Sequence, residues 1–205
     1  MSGLFIAFEG IDASGKETQS KRLAEHLKAH HLSFPDYSTP SGKLIKEHLL
    51  GHWFANGVER DATVFQSLQL TNRMEWAPTM SLWLQMGETV VADRYWASGY
   101  VYGGADGLNL NWLELIHRYL PQPDLYFLLD ISVEESVRRR PNRGGDRYEE
   151  DLAKLEEVAD RYRYLFDTKS RHMGDKTWIT LDGRLSPDEI HNQVLTHIEL
   201  HRLNR

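Results

Sequence analysis

The chain reads as an α/β protein, a parallel sheet of about five strands with helices on both faces. Three observations point there. Short apolar runs at Leu4–Phe8, Thr89–Ala92, Leu125–Ile131 and Trp178–Leu181 have the length and composition of strands buried on both sides. The stretches between them are long enough for crossovers and carry apolar residues at helical spacing. The first run is followed at once by a glycine-punctuated stretch, Gly10 to Gly15, and then by Leu23 and Leu27 one turn apart, which gives strand, tight loop and helix in succession.

The elements follow in chain order. After the first helix, apolar spacing predicts helices over Gly42–Gly51, Asp61–Met86, Asn109–Tyr119, Val133–Arg140, Glu149–Phe166 and Pro187–Leu203. The alternation of strands and helices is the pattern of a doubly wound fold. There is no internal repeat and no low-complexity linker, and the 205 residues, 40% of them hydrophobic, suffice for a single domain spanning 1–205. The segment 138–148, dense in Arg, Gly, Asn and Pro between two helices, has the composition of a short arginine-rich lid.

Composition excludes several functions. A net charge of −6 does not suit a sequence-independent nucleic-acid binder, which concentrates basic charge, so the expected partner is a small molecule. The absence of Cys removes disulfides, thiolate metal sites and cysteine nucleophiles. Met1 to Phe8 lacks the features of a secretory signal, and no stretch reaches the ~18 apolar residues of a membrane span. The expectation is a cytoplasmic protein with no membrane partner. The ten histidines show no convincing ligand spacing; His197 and His201 are four apart, on what is expected to be an exposed helix face.

The chemistry is concentrated at Gly10-Ile11-Asp12-Ala13-Ser14-Gly15-Lys16, which fits the G-x-x-x-x-G-K part of the phosphate-loop signature in its required place between strand and helix. Glycines let backbone N–H groups converge on phosphate oxygens, the helix N-terminus favours negative charge, and Lys16 bridges the outer phosphates. Ala13, Ser14, Gly15, Lys16, Glu17 and Thr18 are thus the expected ATP-phosphate contacts, in a three-layer fold of the P-loop NTPase type. The last position of the motif normally carries a hydroxyl for Mg²⁺; here it is Glu17, with a hydroxyl one residue later at Thr18. Glu17 either ligates Mg²⁺ or turns to solvent at the helix start, and Asp93 and Glu9 are further candidates, directly or through water. Asp93-Arg94-Tyr95 follows the second strand run, at the edge where doubly wound sheets bind ligands. Arg94 there can grip a phosphate through two parallel hydrogen bonds, with Asp93 orienting it or a metal-bound water.

With these motifs the sequence resembles the thymidylate kinases. The resemblance rests on Phe8-Glu9-Gly10-Ile11-Asp12 with the loop, Phe34-Pro35, Asn72-Arg73, Asp93-Arg94-Tyr95 with Ser98, Leu120-Pro121-Gln122-Pro123-Asp124-Leu125, Leu129-Asp130, Arg147-Tyr148-Glu149 and Leu181-Asp182-Gly183, in order over nearly the full length. It implies a homodimeric, Mg²⁺-dependent kinase that phosphorylates dTMP with ATP as donor. Asp12 then resembles the residue that meets the acceptor sugar, and Arg73 and Arg94 the acceptor-side arginines. Phe34, Tyr37, Gln69, Ser98 and Tyr102 fall around the nucleoside, and Tyr148 resembles the aromatic that closes over its sugar. Arg140 and Arg184 fall near the ATP. Where some relatives carry a catalytic arginine after the loop aspartate, this chain has Ala13, so the lid is expected to supply it, Arg143 foremost because its glycine neighbours let it swing. The helix bearing Trp76 and Trp83 is the expected dimer surface.

Two departures fall in the acceptor site. Tyr37 stands where many relatives have an arginine, and Gln69 where an aromatic often stacks on the base. A polar Gln69 leaves open a kinase for 5-modified dUMP, such as 5-hydroxymethyl-dUMP, or a broader deoxynucleoside monophosphate kinase. Glu17 leaves open a nucleotide-binding regulator without turnover.

Overall fold

The computed structural model describes residues 3–50, 61–140, 151–172 and 177–203. Five strands, β1 (Phe5–Glu9), β2 (His30–Ser33), β3 (Val90–Asp93), β4 (Leu125–Asp130) and β5 (Trp178–Asp182), form one sheet in the order β2-β3-β1-β4-β5. All four pairings are parallel, with Ala7 opposite Ala92 on one side and Tyr126 on the other. Between them run α1 (Lys16–Leu27), α2 (Pro40–Leu49), α3 (Ala62–Gln85), α4 (Trp96–Ala105), α5 (Leu110–His117), α6 (Val133–Arg139), α7 (Leu152–Asp167) and α8 (Pro187–Leu203).

The period of two along buried strands sorts their side chains into two cores. Phe5, Ala7, Val90, Ala92, Tyr126, Leu128 and Trp178 face one layer, where they meet residues of α3, α4 and α7. Ile6, Phe8, Val91, Phe127, Leu129, Ile179 and Leu181 face the other, against α1 and α8. Every residue of β1 is therefore buried, which is why Leu4–Phe8 reads as unbroken apolar sequence.

Two elements escape the sequence pattern. Strand β2 is His-His-Leu-Ser with only Leu32 buried, and it is fixed by its ladder to β3 rather than by its own composition. Helix α4 contains Gly99, Gly103 and Gly104, poor helix formers whose missing side chains let His117, Leu113 and Arg161 approach its backbone.

A candidate phosphoryl-transfer site

The carboxyl ends of β1 and β3 carry the site. Past β1 the chain turns through Gly10 at φ 140° and Gly15 at φ 99°, both in the region glycine tolerates, and enters α1 at Lys16. A β-carbon on Gly10 would stand 2.8 Å from the Leu129 carbonyl oxygen, so the loop lies hard against β4. Helices α2, α3, α5, α6 and α7 each begin with a side chain that accepts from their first free N–H groups. Helices α1 and α4 have no such cap, and both begin at this crevice. Uncapped N–H groups and the partial positive charge of a helix start are what an anion needs.

Lys16 is buried, and its Nζ donates to the Ile11 carbonyl at 2.7 Å. Burial, reinforced by the Arg94 guanidinium, pushes its pKa down to about 8 against the opposing pull of Asp12, Asp93 and Glu9. In the unfolded chain the same lysine titrates near 10.5, so folding holds fewer protons between about pH 8 and 10.5. Stability of the nucleotide-free protein is therefore expected to rise with pH across that window. Bound phosphates favour the charged lysine, so ATP binding at pH 8.5 is expected to take up a fraction of a proton. Calorimetry in buffers of different ionisation enthalpy measures it, and zero uptake would contradict the assignment.

Arg94 follows β3 with φ 62°, a left-handed conformation for a non-glycine residue. Its guanidinium ion-pairs with Asp12, donates to the Gly10 carbonyl at 3.1 Å and lies 5.5 Å from the centre of the Tyr102 ring. Despite the cost of burial, the surrounding Tyr102, Asp12 and Asp93 hold it firmly charged. Asp12, though desolvated, is kept below the usual carboxylate range by Arg94 and Lys16.

Glu9, a candidate for the metal directly or through water, is engaged within the protein. It is fully buried, Oε1 accepts from the Tyr95 N–H at 2.9 Å, and Oε2 accepts from Ser98 Oγ at 2.6 Å and Tyr162 OH at 3.2 Å. Burial raises its pKa, with Ser98 and Arg94 opposing. Its oxygens are committed to the protein, and the carboxylate organises the crevice floor. The Glu17 carboxylate is 68% exposed and pairs with Lys21, one turn along α1, the solvent-facing arrangement. Thr18 is exposed as well. Asp93 is buried at the end of β3, and its Oδ1 has no hydrogen-bond partner among the described residues.

Beside this crevice lies a cleft of about 240 Å³ lined by Asp12, Phe34, Tyr37, Gln69, Arg73, Arg94, Ser98 and Tyr102, the residues expected around an acceptor, with Gln66 and Gly99 added. Arg73 is buried, donates to the Gln69 carbonyl at 2.8 Å and lies 6.0 Å from the centre of the Phe34 ring; burial lowers its pKa to about 10, with Glu9 opposing. Asn72, fully buried, holds the wall. Its Oδ1 accepts from the Asp36 N–H at 2.8 Å, and its Nδ2 donates to the Asp36 carbonyl, Thr39 Oγ1 and Ser41 Oγ. Asn72→Ala orphans these groups and is expected to cost about 2–3 kcal/mol in chemical denaturation. It should also raise the KM for the cleft's ligand without altering that for the phosphate-loop ligand.

On the third side, Arg139 at the end of α6 pairs with Glu135 and reaches the carbonyls of Ala13 at 3.4 Å and Gly183 at 2.8 Å. It is one of the lid arginines available in the sequence, where Arg143 is favoured. Arg140 donates to the carbonyl and hydroxyl of Ser136, whose Oγ donates to the Asp12 carbonyl at 2.7 Å. Arg184 is exposed and pairs with Asp182. Arg143, Tyr148 and most of the 138–148 lid lie outside the described residues. Trp76 and Trp83 are turned to uses within the chain: Trp76 Nε1 donates to Asp36 Oδ2 at 2.8 Å, and Trp83 stacks on His30 at 3.7 Å between ring centres.

Comparison with known proteins gives the same picture. The family described as Thymidylate kinase matches residues 8–194. The chain is similar to the thymidylate kinase of Dictyostelium discoideum, 34% identical over 94% of this chain and 83% of that protein. It is similar to a probable thymidylate kinase of Pyrococcus abyssi, 33% identical over 97% of each. The solved thymidylate kinase of Candida albicans superposes with a TM-score of 0.86 at 29% identity, covering 98% of this chain and 93% of that one.

Proposed function

The chain belongs to the thymidylate kinase family, and from that premise we propose that its crevice carries the terminal phosphoryl group of ATP to dTMP held in the adjoining cleft. The observation that supports this most is the placement of Lys16, which is buried, and Arg94, which is largely so, past separate strand ends, between an uncapped helix start and a cleft that also holds Arg73. The acceptor phosphate is already nucleophilic, so positioning and charge neutralisation carry the rate. Lys16 and the loop N–H groups hold the donor phosphates, Arg94 the transferred group and the acceptor phosphate. Asp12, Phe34, Tyr37, Gln69, Arg73, Ser98 and Tyr102 hold the nucleoside, and Arg139 and Arg140 bring charge to the far side of the loop.

ATP chemistry of this kind implies Mg²⁺, and the donor set fits it: the unpartnered Oδ1 of Asp93 is within electrostatic reach of Lys16, where it would hold the ion directly or through water. Bound there, the ion would neutralise phosphate charge. A homodimer is part of the proposal. Met74 and Leu82 are exposed on α3 and Met86 is exposed at its C-terminal cap, apolar surface suited to a second copy. No described helix is long and apolar enough to cross a membrane.

The test is ADP formation with ATP and Mg²⁺ against dTMP, dUMP, 5-hydroxymethyl-dUMP, dCMP, dGMP and dAMP separately. Highest kcat/KM for dTMP is expected; no acceptor-dependent turnover with any of the six would overturn the reading.

A further inference from the structure

At one wall of the acceptor cleft, and just behind it, lie two buried polar atoms that no described residue satisfies. Gln66 is 1% exposed and its Oε1 has no partner; His117, also 1% exposed, has no partner at Nε2. Both converge on Gly99, where an added β-carbon would stand 2.8 Å from His117 Nε2 and 3.5 Å from Gln66 Oε1. The imidazole's state is fixed by its other nitrogen: Nδ1 lies 2.7 Å from the Leu113 carbonyl and must donate to it, so neutral His117 presents a bare acceptor at Nε2. Burial and Arg73 push its pKa down to about 4, which keeps the ring neutral at pH 7. As the amide stands, both acceptors beside Gly99 are left unsatisfied among the described residues. Amide oxygen and nitrogen are distinguished by their hydrogen bonds, and exchanging them on Gln66 puts an N–H on the Gly99 side, where His117 Nε2 also lies, and the carbonyl oxygen on the other.

Resting on the dTMP reading above, we propose that Gln66 is a base-reading residue whose amide His117 orients so that a carbonyl acceptor faces the bound pyrimidine. A pyrimidine-2,4-dione offers that acceptor its N3–H, whereas a 4-aminopyrimidine presents an unprotonated N3 and meets it with repulsion. The spacing supports the placement: Gln66, Gln69 and Arg73 fall at i, i+3 and i+7 of α3, on the one face that lines the cleft. His117 acts through Gln66 and is a positioning residue.

The experiment compares kcat/KM for dTMP and dCMP in the parent protein, Gln66→Met and His117→Phe, with melting temperature and ATP affinity measured alongside. Gln66→Met is expected to lower kcat/KM for dTMP and to shrink the dTMP:dCMP ratio by roughly tenfold or more. His117→Phe frees the amide to turn either way, so the ratio should shrink while dTMP turnover falls less than in Gln66→Met. A general structural defect would depress both substrates together and leave the ratio unmoved, and that result overturns the proposal. Nitrogen-15 NMR of the parent protein tests it without a variant: the Gln66 amide protons should show contacts to the His117 ring, and their absence also overturns it. Parent protein that fails to phosphorylate dTMP would instead remove the underlying function.

Discussion

Lys16→Met is expected to lower kcat by roughly a hundred- to a thousandfold, with the protein melting no lower than its parent at pH 7. The two halves of that result have one cause. Without phosphates, the buried ammonium has its desolvation only partly offset by Asp12, Asp93 and Glu9, and its displacement from 10.5 to about 8 corresponds to about 3 kcal/mol carried by the native state at neutral pH. Methionine fills much of the same space without that charge. Activity is lost because nothing else on α1 can reach the donor phosphates: Glu17 and Thr18 face outward, and Lys21 is paired with Glu17. Steady-state kinetics with a thermal melt reads both; near-parental kcat would remove Lys16 from the mechanism, and a large fall in melting temperature would contradict the electrostatic account.

Arg94→Ala is expected to lose activity on a similar scale, with a raised KM for dTMP, because one guanidinium touches Gly10 of the donor loop and Asp12 and Tyr102 of the acceptor cleft. Its backbone provides an internal control. At φ 62° alanine retains the left-handed strain and glycine does not, at a difference of about 1 kcal/mol. Arg94→Gly should therefore be the more stable of the two and equally inactive. Arg94→Lys should recover little, since a single ammonium cannot address Gly10 and Asp12 as a planar fork does. Appreciable turnover in Arg94→Gly would show that the unusual backbone, rather than the charge, was what mattered.

The legible parts of this chain were those where local chemistry and global position coincide. Phe5–Glu9 announces a buried strand because both faces are covered, and Gly10 to Lys16 announces a phosphate loop because its backbone has few alternatives. Arg73 and Arg94 were placed on the cleft by resemblance, and both line it. What sequence could not give was direction. Glu17 and Glu9 were both open to a metal on paper, Glu9 directly or through water; one is paired with Lys21, the other bonded to Tyr95, Ser98 and Tyr162, and Tyr162 is too distant along the chain for any local pattern to join it to Glu9. Strand β2, with one buried residue in four, owes its existence to β3. Gln66 was readable in principle, since it precedes Arg73 by two helical turns on the same face, but its burial and its histidine neighbour emerge only in three dimensions.

The Glu9 carboxylate joins the last residue of β1 to the starts of α4 and, through Tyr162, to α7. It thereby behaves as a gauge block between two seats. The separation of donor and acceptor is machined into the empty protein and does not have to be negotiated when the ligands arrive. Neither nucleotide needs to shape the other's berth, so the order in which they enter should be immaterial, and sequence drift at the rim can retune which base is accepted without disturbing the stroke length of the transfer.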